Sequence, residues 1–151
     1  MPALYYLTSN IYNMDFSNIN YLSVVVAALA SFALGSLWYS PVLFGKSWQI
    51  ELGFTDEYLK EGNMGKVFGS AFILMILISF GMAMMVQGHS TDNINWLEGM
   101  YHGLYIGFLF VGTTYGINML FQRRTFKLWA IDAFYQIACL VIMGAILGAW
   151  S

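Results

Sequence analysis

Charged residues are scarce in this chain. Asp, Glu, Lys and Arg make up 9% of its 151 residues, and 59% of the residues are apolar. A soluble domain usually carries about 25% charged residues, so too few charges are present here to cover the surface of a soluble fold. The net charge of −2 provides no basic face either, which argues against a nucleic-acid partner.

The chain is also poor in cysteine and has no basic residue before Lys46. Cys139 is alone, which excludes an intrachain disulfide and a CxxC metal or redox site. Without a charged segment ahead of an apolar run, the N-terminus does not resemble a cleaved signal peptide. We therefore expect residues 1–19 to remain as an extracytoplasmic tail, of which residues 1–13 are dispensable if the chain starts at Met14.

Long runs without charge occupy much of the sequence. Four of them contain no Asp, Glu, Lys or Arg: residues 16–45, 67–91, 99–122 and 133–151. A helix that crosses a bilayer needs roughly 20 mostly apolar residues, and each run supplies about that many. The sequence therefore predicts an all-α fold, an integral membrane four-helix bundle with spans at about residues 20–39, 66–87, 96–121 and 127–150.

The six basic residues indicate how the bundle is oriented. Three lie between the first and second spans and three near the connection of the third and fourth: Lys46, Lys60, Lys66, Arg123, Arg124 and Lys127. Short loops rich in Lys and Arg stay on the cytoplasmic side of a membrane. We therefore expect loops 40–65 and 122–127 in the cytoplasm and both termini outside it.

The one sizeable loop, residues 41–64, carries the signals of a short helix on the membrane surface. Pro41 cannot continue the hydrogen bonding of the first span, which should end before it. Thr55 then precedes two acidic residues, and Gly62 follows Lys60, an order typical of a capped helix. The sequence predicts an amphipathic interfacial segment here.

Short matches relate the two halves of the chain. NINYL at residues 18–22 returns as NINWL at residues 93–97, each before a span. Two helical hairpins of the same orientation would explain the match, and recurrent Asn caps are the alternative.

Small residues spaced along the spans favour close helix packing and an oligomer: Ser23, Ala27, Ser31, Gly35, Gly65, Gly69, Gly99, Gly103, Gly107, Gly144 and Gly148.

Ionisable and polar residues inside spans are costly, and each suggests a function. Glu98 and His102, four residues apart on one helix face, form a candidate outer site, either a proton or ion site or a pair reached by water. A second set forms a candidate polar seam between the last two spans: Asp132, Asn118, Thr114, Tyr135 and Gln136. The seam fits either hydrogen-bonded contact between helices or the lining of a narrow path for a small solute or ion.

Signatures of metal binding and catalysis are weak in the sequence. Methionine and histidine near the outer ends are ligand types that suit copper, but they show no recognised ligand spacing. A nucleophile paired with a base, a phosphate-binding loop and paired catalytic carboxylates are not found. We therefore predict no metal site and no cofactor, and we do not expect an enzyme.

Three stretches carry a family resemblance. INYLSVVVAALASFALGSLWYSPVLFGKSW begins at Ile19, ELGFTDEYLK follows it, and LWAIDAFYQIACLVIMGAILGAW lies near the end. Over residues 19–151 the chain resembles a bacterial family called domain of unknown function 1761. The resemblance implies a small four-pass protein of the bacterial inner membrane and supplies no reaction. The positions that match the family's recurrent residues are Trp38, Tyr39, Pro41, Phe44, Gly45 and Asp132.

The turn after the first span is more specific than anchoring in a bilayer requires. We therefore treat it as a candidate partner-docking turn: Trp38, Tyr39, Pro41, Phe44, Gly45 and Lys46. Taken together, the features predict a structural or accessory subunit in the lipid bilayer that associates with itself or with a larger membrane complex. The alternative is a minimal oligomeric channel or transporter for a small solute or ion.

Overall fold

Four long helices dominate the computed structural model, which describes residues 16–87 and 94–150. They are α1 (Tyr21–Trp38), α4 (Met64–Val86), α5 (Trp96–Phe121) and α6 (Phe126–Ala149). Two shorter helices connect the first pair: α2 (Gly45–Leu52) and α3 (Asp56–Glu61). Each long helix is long enough and apolar enough to cross a membrane. The predicted all-α membrane four-helix fold is confirmed; the predicted tail lies mostly outside the described residues.

Each long helix begins next to a side chain that caps it. Asn20, Asn63, Asn95 and Thr125 accept hydrogen bonds from backbone N–H groups of the first turns of α1, α4, α5 and α6. Those N–H groups have no partner within the helix itself. Asn20 and Asn95 are also the last asparagines of the two NIN repeats, so capping is a local reason for that repeat.

Helix α6 lies at the centre of the bundle. It contacts α1, α4 and α5, whereas α4 and α5 touch each other only briefly. We call the end of the bundle that holds α2, α3 and the α5–α6 turn the loop side, and the opposite end the far side. Leu128, Met143 and Leu147 of α6 are fully buried, so the interior is filled along most of this helix.

The closest helix contact is between α5 and α6 and depends on glycine. A Cβ atom on Gly99 would overlap the backbone of Gly144, and a Cβ on Gly144 would overlap the backbone of Gly99. Gly103 lies in the same way against the backbone of Leu140. Because lipid gives no hydrophobic drive for helix pairing, close backbone approach through small residues is a main source of packing energy.

Helix α5 is wider in its middle turn than an ordinary α-helix. Residues Gly107–Gly112 form a π-helical segment between two α-helical parts. In a π-helix each backbone N–H bonds to the carbonyl five residues earlier instead of four. The Gly112 carbonyl accepts a hydrogen bond from the Trp129 indole N–H at 3.0 Å, so the widened turn is bonded to α6.

Buried polar side chains join the helices at the far side. The Gln87 amide donates to the Leu147 carbonyl at 3.0 Å, and its oxygen accepts from the Asn20 backbone N–H at 2.9 Å. Ser79 of α4 likewise donates to the Val24 carbonyl of α1 at 2.9 Å. Across residues 16–87 and 94–150, no buried side-chain nitrogen or oxygen lacks a hydrogen-bond partner.

Candidate functional site

A carboxyl group of α6 meets the end of α1 at the loop side. Asp132 accepts a hydrogen bond from the Tyr39 hydroxyl at 2.9 Å, and the Trp48 indole N–H is close enough to interact with the same carboxyl group. One residue earlier on α6, the Ile131 carbonyl accepts from the Trp38 indole at 3.1 Å. We call Trp38, Tyr39, Trp48, Asp132 and Tyr135 the loop-side cluster.

Aromatic rings surround the half-buried Asp132. The ring of Tyr39 lies 5.0 Å from that of Tyr135 and 5.5 Å from that of Trp48, centroid to centroid. Burial, followed by the nearby Asp132, raises the pKa of the Tyr39 hydroxyl far above its ordinary value. Tyr39 therefore keeps its proton and remains a hydrogen-bond donor, which a carboxyl group in apolar surroundings requires.

The turn between α1 and α2 brings Trp48 back to this cluster. The Phe44 backbone N–H donates to the Trp38 carbonyl at 3.0 Å, and the Gly45 N–H donates to the Ser40 carbonyl at 3.0 Å. A Cβ on Gly45 would come within 2.7 Å of that same Ser40 oxygen. Glycine is therefore required for the tight return of the chain.

The candidate partner-docking turn divides into two groups. Trp38, Tyr39 and Gly45 are engaged by contacts inside the chain, which accounts for their specificity without a partner. Pro41 and Lys46 are exposed, as is Phe44 at 38% of its surface. A docking role for the exposed group stays a prediction.

A hydrogen bond and an ion pair made by Glu51 hold α2 to the start of α6, and we call them the Glu51 clamp. The Glu51 carboxylate accepts a hydrogen bond from the Thr125 hydroxyl and lies 3.4 Å from the Lys127 ammonium. These two groups, the hydroxyl first, hold the pKa of Glu51 below its ordinary value. Thr125 is also the N-cap of α6. Nothing in the local sequence pattern predicts this pairing, because Glu51 and Thr125 are 74 residues apart.

The structure does not bring the five residues of the predicted polar seam together. Asp132 and Tyr135 face α1, where they join the loop-side cluster. Thr114 and Asn118 are exposed on α5. Gln136 lines a groove instead. Because α6 packs against three helices at once, neighbouring polar residues face different partners, and a role for the seam stays a prediction.

At the far side, the two residues of the predicted outer site both bond to backbone atoms. The Glu98 carboxylate accepts from the Asn95 backbone N–H at 3.0 Å, completing a capping box at the start of α5. The His102 Nδ1 lies 2.8 Å from the Glu98 carbonyl oxygen. Both residues are exposed, and a proton or ion role for them stays a prediction.

Metal ligands do not cluster in the described part of the chain. Within residues 16–87 and 94–150, no group of three or more His, Cys, Asp or Glu side chains is placed to hold a metal ion. Cys139 is buried and its backbone carbonyl accepts a hydrogen bond from Ser31 at 3.3 Å. This cysteine therefore contributes to packing between α1 and α6.

A groove of about 420 Å³ lies between α4, α5 and α6. We call it the α4–α6 groove. Because α4 and α5 touch only briefly, the groove is open between them, with α6 as its floor. Its walls are almost entirely apolar and include four methionines: Met75, Met82, Met85 and Met143. Tyr115 and Gln136 are the polar residues at its loop-side end.

Comparison with known proteins identifies a family but no activity. The family described as protein of unknown function (DUF1761) matches residues 22–148, a range that includes nearly all of the four long helices and the whole loop-side cluster. This confirms the family resemblance seen in the sequence. No curated protein and no solved structure matches the chain. A function therefore has to be argued from the chain's own geometry.

Proposed function

The chain belongs to the DUF1761 family, and we propose that it is a structural or accessory membrane subunit that associates with a second copy of itself or with a larger membrane complex through α4. It is not an enzyme in this proposal. It spans the bacterial cytoplasmic membrane with its loop side in the cytoplasm and both termini outside, as the distribution of Lys and Arg indicates.

Two glycines of α4 carry the proposal. Gly65 and Gly69 are four residues apart, on one face of the helix. No atom outside the helix lies within 4 Å of the place where a Cβ of Gly69 would be, and the nearest atom to that of Gly65 is its own N-cap side chain at 3.5 Å. Gly99 and Gly103 of α5 and Gly144 of α6, by contrast, are already in contact with the backbone of the facing helix. α4 thus presents a small-residue surface of the type that pairs helices in lipid.

The position of α4 in the bundle supports the same role. Only 17% of its most apolar window is buried inside the chain, against 44% for α6; α5 is even less buried, at 11%, so it is the open glycines that distinguish α4. Most of the α4 surface is therefore available to a neighbouring helix, while α6 is already enclosed. Small extramembrane loops leave the helix surfaces as the main area for an interaction.

Self-association can be tested with two matched glycine variants. Gly69→Leu places a bulky side chain on the proposed contact surface and should weaken dimerisation about tenfold, or about 1.4 kcal/mol. Gly81→Leu is the control, because the position of its Cβ on α4 is equally open. Energy transfer between donor-labelled and acceptor-labelled copies in vesicles measures the change.

Three outcomes would contradict the proposal. The first is that the wild-type chain is monomeric and without a partner in native membranes. The second is that the two variants associate equally strongly. The third is that a reporter fused after Ser151 is found in the cytoplasm. Solute or ion flux into vesicles that depends on Asp132 would instead favour the channel alternative. Since Leu128, Met143 and Leu147 fill the interior, such a path would have to run between protomers.

A further inference from the structure

The four long helices end at nearly the same level on the far side. Gln87, which follows α4, bonds to the Asn20 backbone before α1 and to the Leu147 carbonyl near the end of α6. Next to it on α6, a Cβ on Gly148 would lie 2.5 Å from the carbonyl oxygen of Asn95, directly before α5. Any difference in length between the helices therefore appears at the loop side.

Helix α1 is shorter than the helix α6 that it packs against. It has 18 residues, whereas α6 has 24, and the difference amounts to roughly 9 Å. The contact at its end agrees with this, because Trp38 bonds to the Ile131 carbonyl and α6 begins earlier, at Phe126. About one and a half turns of α6 therefore extend beyond the end of α1.

Helix α2 occupies the space that α1 leaves beside this part of α6. Trp48 is close enough to interact with the Asp132 carboxyl group. Glu51 bonds to Thr125 and to Lys127. These partners are distributed from the N-cap of α6 to its second turn. α2 therefore lies beside α6, where α1 would continue, and not beneath the bundle.

The bilayer is thicker than α1 is long. The 18 residues of α1 span roughly 27 Å, whereas the hydrocarbon core of a bilayer is about 30 Å thick. Helix α6, at roughly 36 Å, is longer than this core. Measured from the level far ends, the hydrocarbon edge therefore lies a short distance past Trp38. That is the level of α2, with the headgroup region directly beyond it.

The face of α2 that points away from α6 carries a large apolar side chain and one lysine. Trp48 and Glu51 are on the face toward α6, whereas Lys46 and Ile50, four residues apart, are on the opposite face. Ile50 is 75% exposed, and Val42 in the preceding turn is 84% exposed. This combination suits the headgroup boundary, because a lysine can lay its stem along apolar surface and extend its ammonium group to water.

The outward face of α2 continues the surface that α1 presents to lipid. Val25, Leu29 and Leu37 of α1 are exposed, and α1 is long and apolar enough to cross the membrane, so these side chains face the bilayer. Because α2 follows α1 on the same side of α6, its outward face is directed the same way. Val42 and Ile50 therefore point sideways, toward the bilayer.

We propose that α2 and the turn before it are inserted in the loop-side leaflet, with Val42 and Ile50 against lipid acyl chains at the headgroup boundary. Lys46 extends from the same face to the headgroups. Trp48 holds the other face of α2 to α6, so that α2 completes the span that α1 leaves short and separates Asp132 from lipid. The proposal rests on the lengths and contacts of the helices and does not depend on association through α4.

Spin labels in vesicles test the insertion. They are attached at Val42→Cys or Ile50→Cys in a chain that carries Cys139→Ala, so that each chain has one site. Electron paramagnetic resonance compares collisions with oxygen, which concentrates in hydrocarbon, and with a water-soluble nickel chelate. Leu77→Cys, exposed near the middle of α4, is the lipid reference, and Glu57→Cys, exposed on α3, is the water reference.

We expect the labels at Val42 and Ile50 to resemble the lipid reference. Their ratio of oxygen to nickel collisions should exceed that at Glu57 at least about fivefold, because an inserted apolar face lies roughly 5–10 Å into the boundary between headgroups and acyl chains. All four positions are exposed, so the labels should not disturb packing. Circular dichroism checks that each labelled chain is folded.

Two results would overturn the proposal. One is a collision ratio at Val42 and Ile50 equal to that at Glu57, which would place the outward face of α2 in water. The other is protection of both labels from oxygen and from nickel, which would show that a second copy or another protein covers this face. Association through α4 is measured separately with Gly69→Leu, so failure of either proposal leaves the other intact.

Discussion

Asp132 and Gln136 lie one turn apart on α6 and have opposite surroundings. Asp132 faces α1 and accepts a hydrogen bond from Tyr39 at 2.9 Å. Gln136 faces the α4–α6 groove, and within the described ranges no protein group bonds to it. One side of α6 is therefore closed by contacts inside the chain, while the other side is open to the bilayer.

The same contrast holds for glycine. On the closed side, the backbones of Gly99 and Gly144 are in contact. On the open side, Gly81 has no neighbour within 4 Å of its missing Cβ. The difference separates residues that hold the helices together from residues whose missing side chain faces open space.

Leucine substitution at these glycines should give the largest effect. Gly144→Leu forces α5 and α6 apart and should lower the free energy of unfolding by about 3 kcal/mol, the upper range for overpacking. Gly81→Leu should change it by less than about 0.5 kcal/mol, as for other surface positions. Denaturant titration in mild detergent, followed by circular dichroism, measures both. Equal destabilisation would show that the two sides do not differ.

Removing one hydroxyl group should have a smaller effect on the closed side. Tyr39→Phe keeps the ring contacts with Trp48 and Tyr135 but removes one of the two donors to Asp132 and leaves the Trp48 indole N–H as the other, which should cost about 1 to 2 kcal/mol. The matched change on the open side, Gln136→Leu in lipid-free detergent, removes no protein hydrogen bond and should be neutral or slightly stabilising. The comparison fails if Gln136→Leu is the more destabilising of the two.

The sequence predicts the four spans well because hydropathy is a local property. Each span is a run of about 20 apolar residues whose length must match the bilayer, and no knowledge of neighbouring helices is needed. The helix starts are local too, since Asn20 and Asn95 cap the turns that directly follow them. These features follow from residues close together in the chain.

Contacts between helices are not local, and here the sequence was less informative. It indicated both Tyr39 and Asp132, but not that these residues, 93 positions apart, bond to each other. The seam of Asp132 with Thr114 and Asn118 assumed that polar residues of α6 face α5. A central helix has three neighbours, so its polar residues are divided among them. Gln87 gave no signal, because an amide at a span end is equally consistent with hydration.

The smallest expected effect concerns pH and the Glu51 clamp, which holds the closed side at its loop end. The Thr125 hydroxyl and the Lys127 ammonium stabilise the ionised form of Glu51 and lower its pKa from an ordinary value near 4.5. Because the folded pKa lies below the unfolded one, the clamp stabilises the fold fully above about pH 4.5 and loses this contribution as pH falls through the folded pKa.

Melting temperature as a function of pH should therefore decrease on the acid side, and Glu51→Gln should reduce that decrease. Near pH 7 the variant should melt slightly below the wild-type chain, and the two curves should converge below the folded pKa of Glu51. Glu57→Gln is the matched control. Because Glu57 is exposed on α3, this substitution should leave the wild-type profile unchanged. A Glu51→Gln curve that coincides with the wild-type curve at every pH would mean that the clamp adds nothing to the closed side, and that the contacts of Trp48 hold α2 against α6 without it.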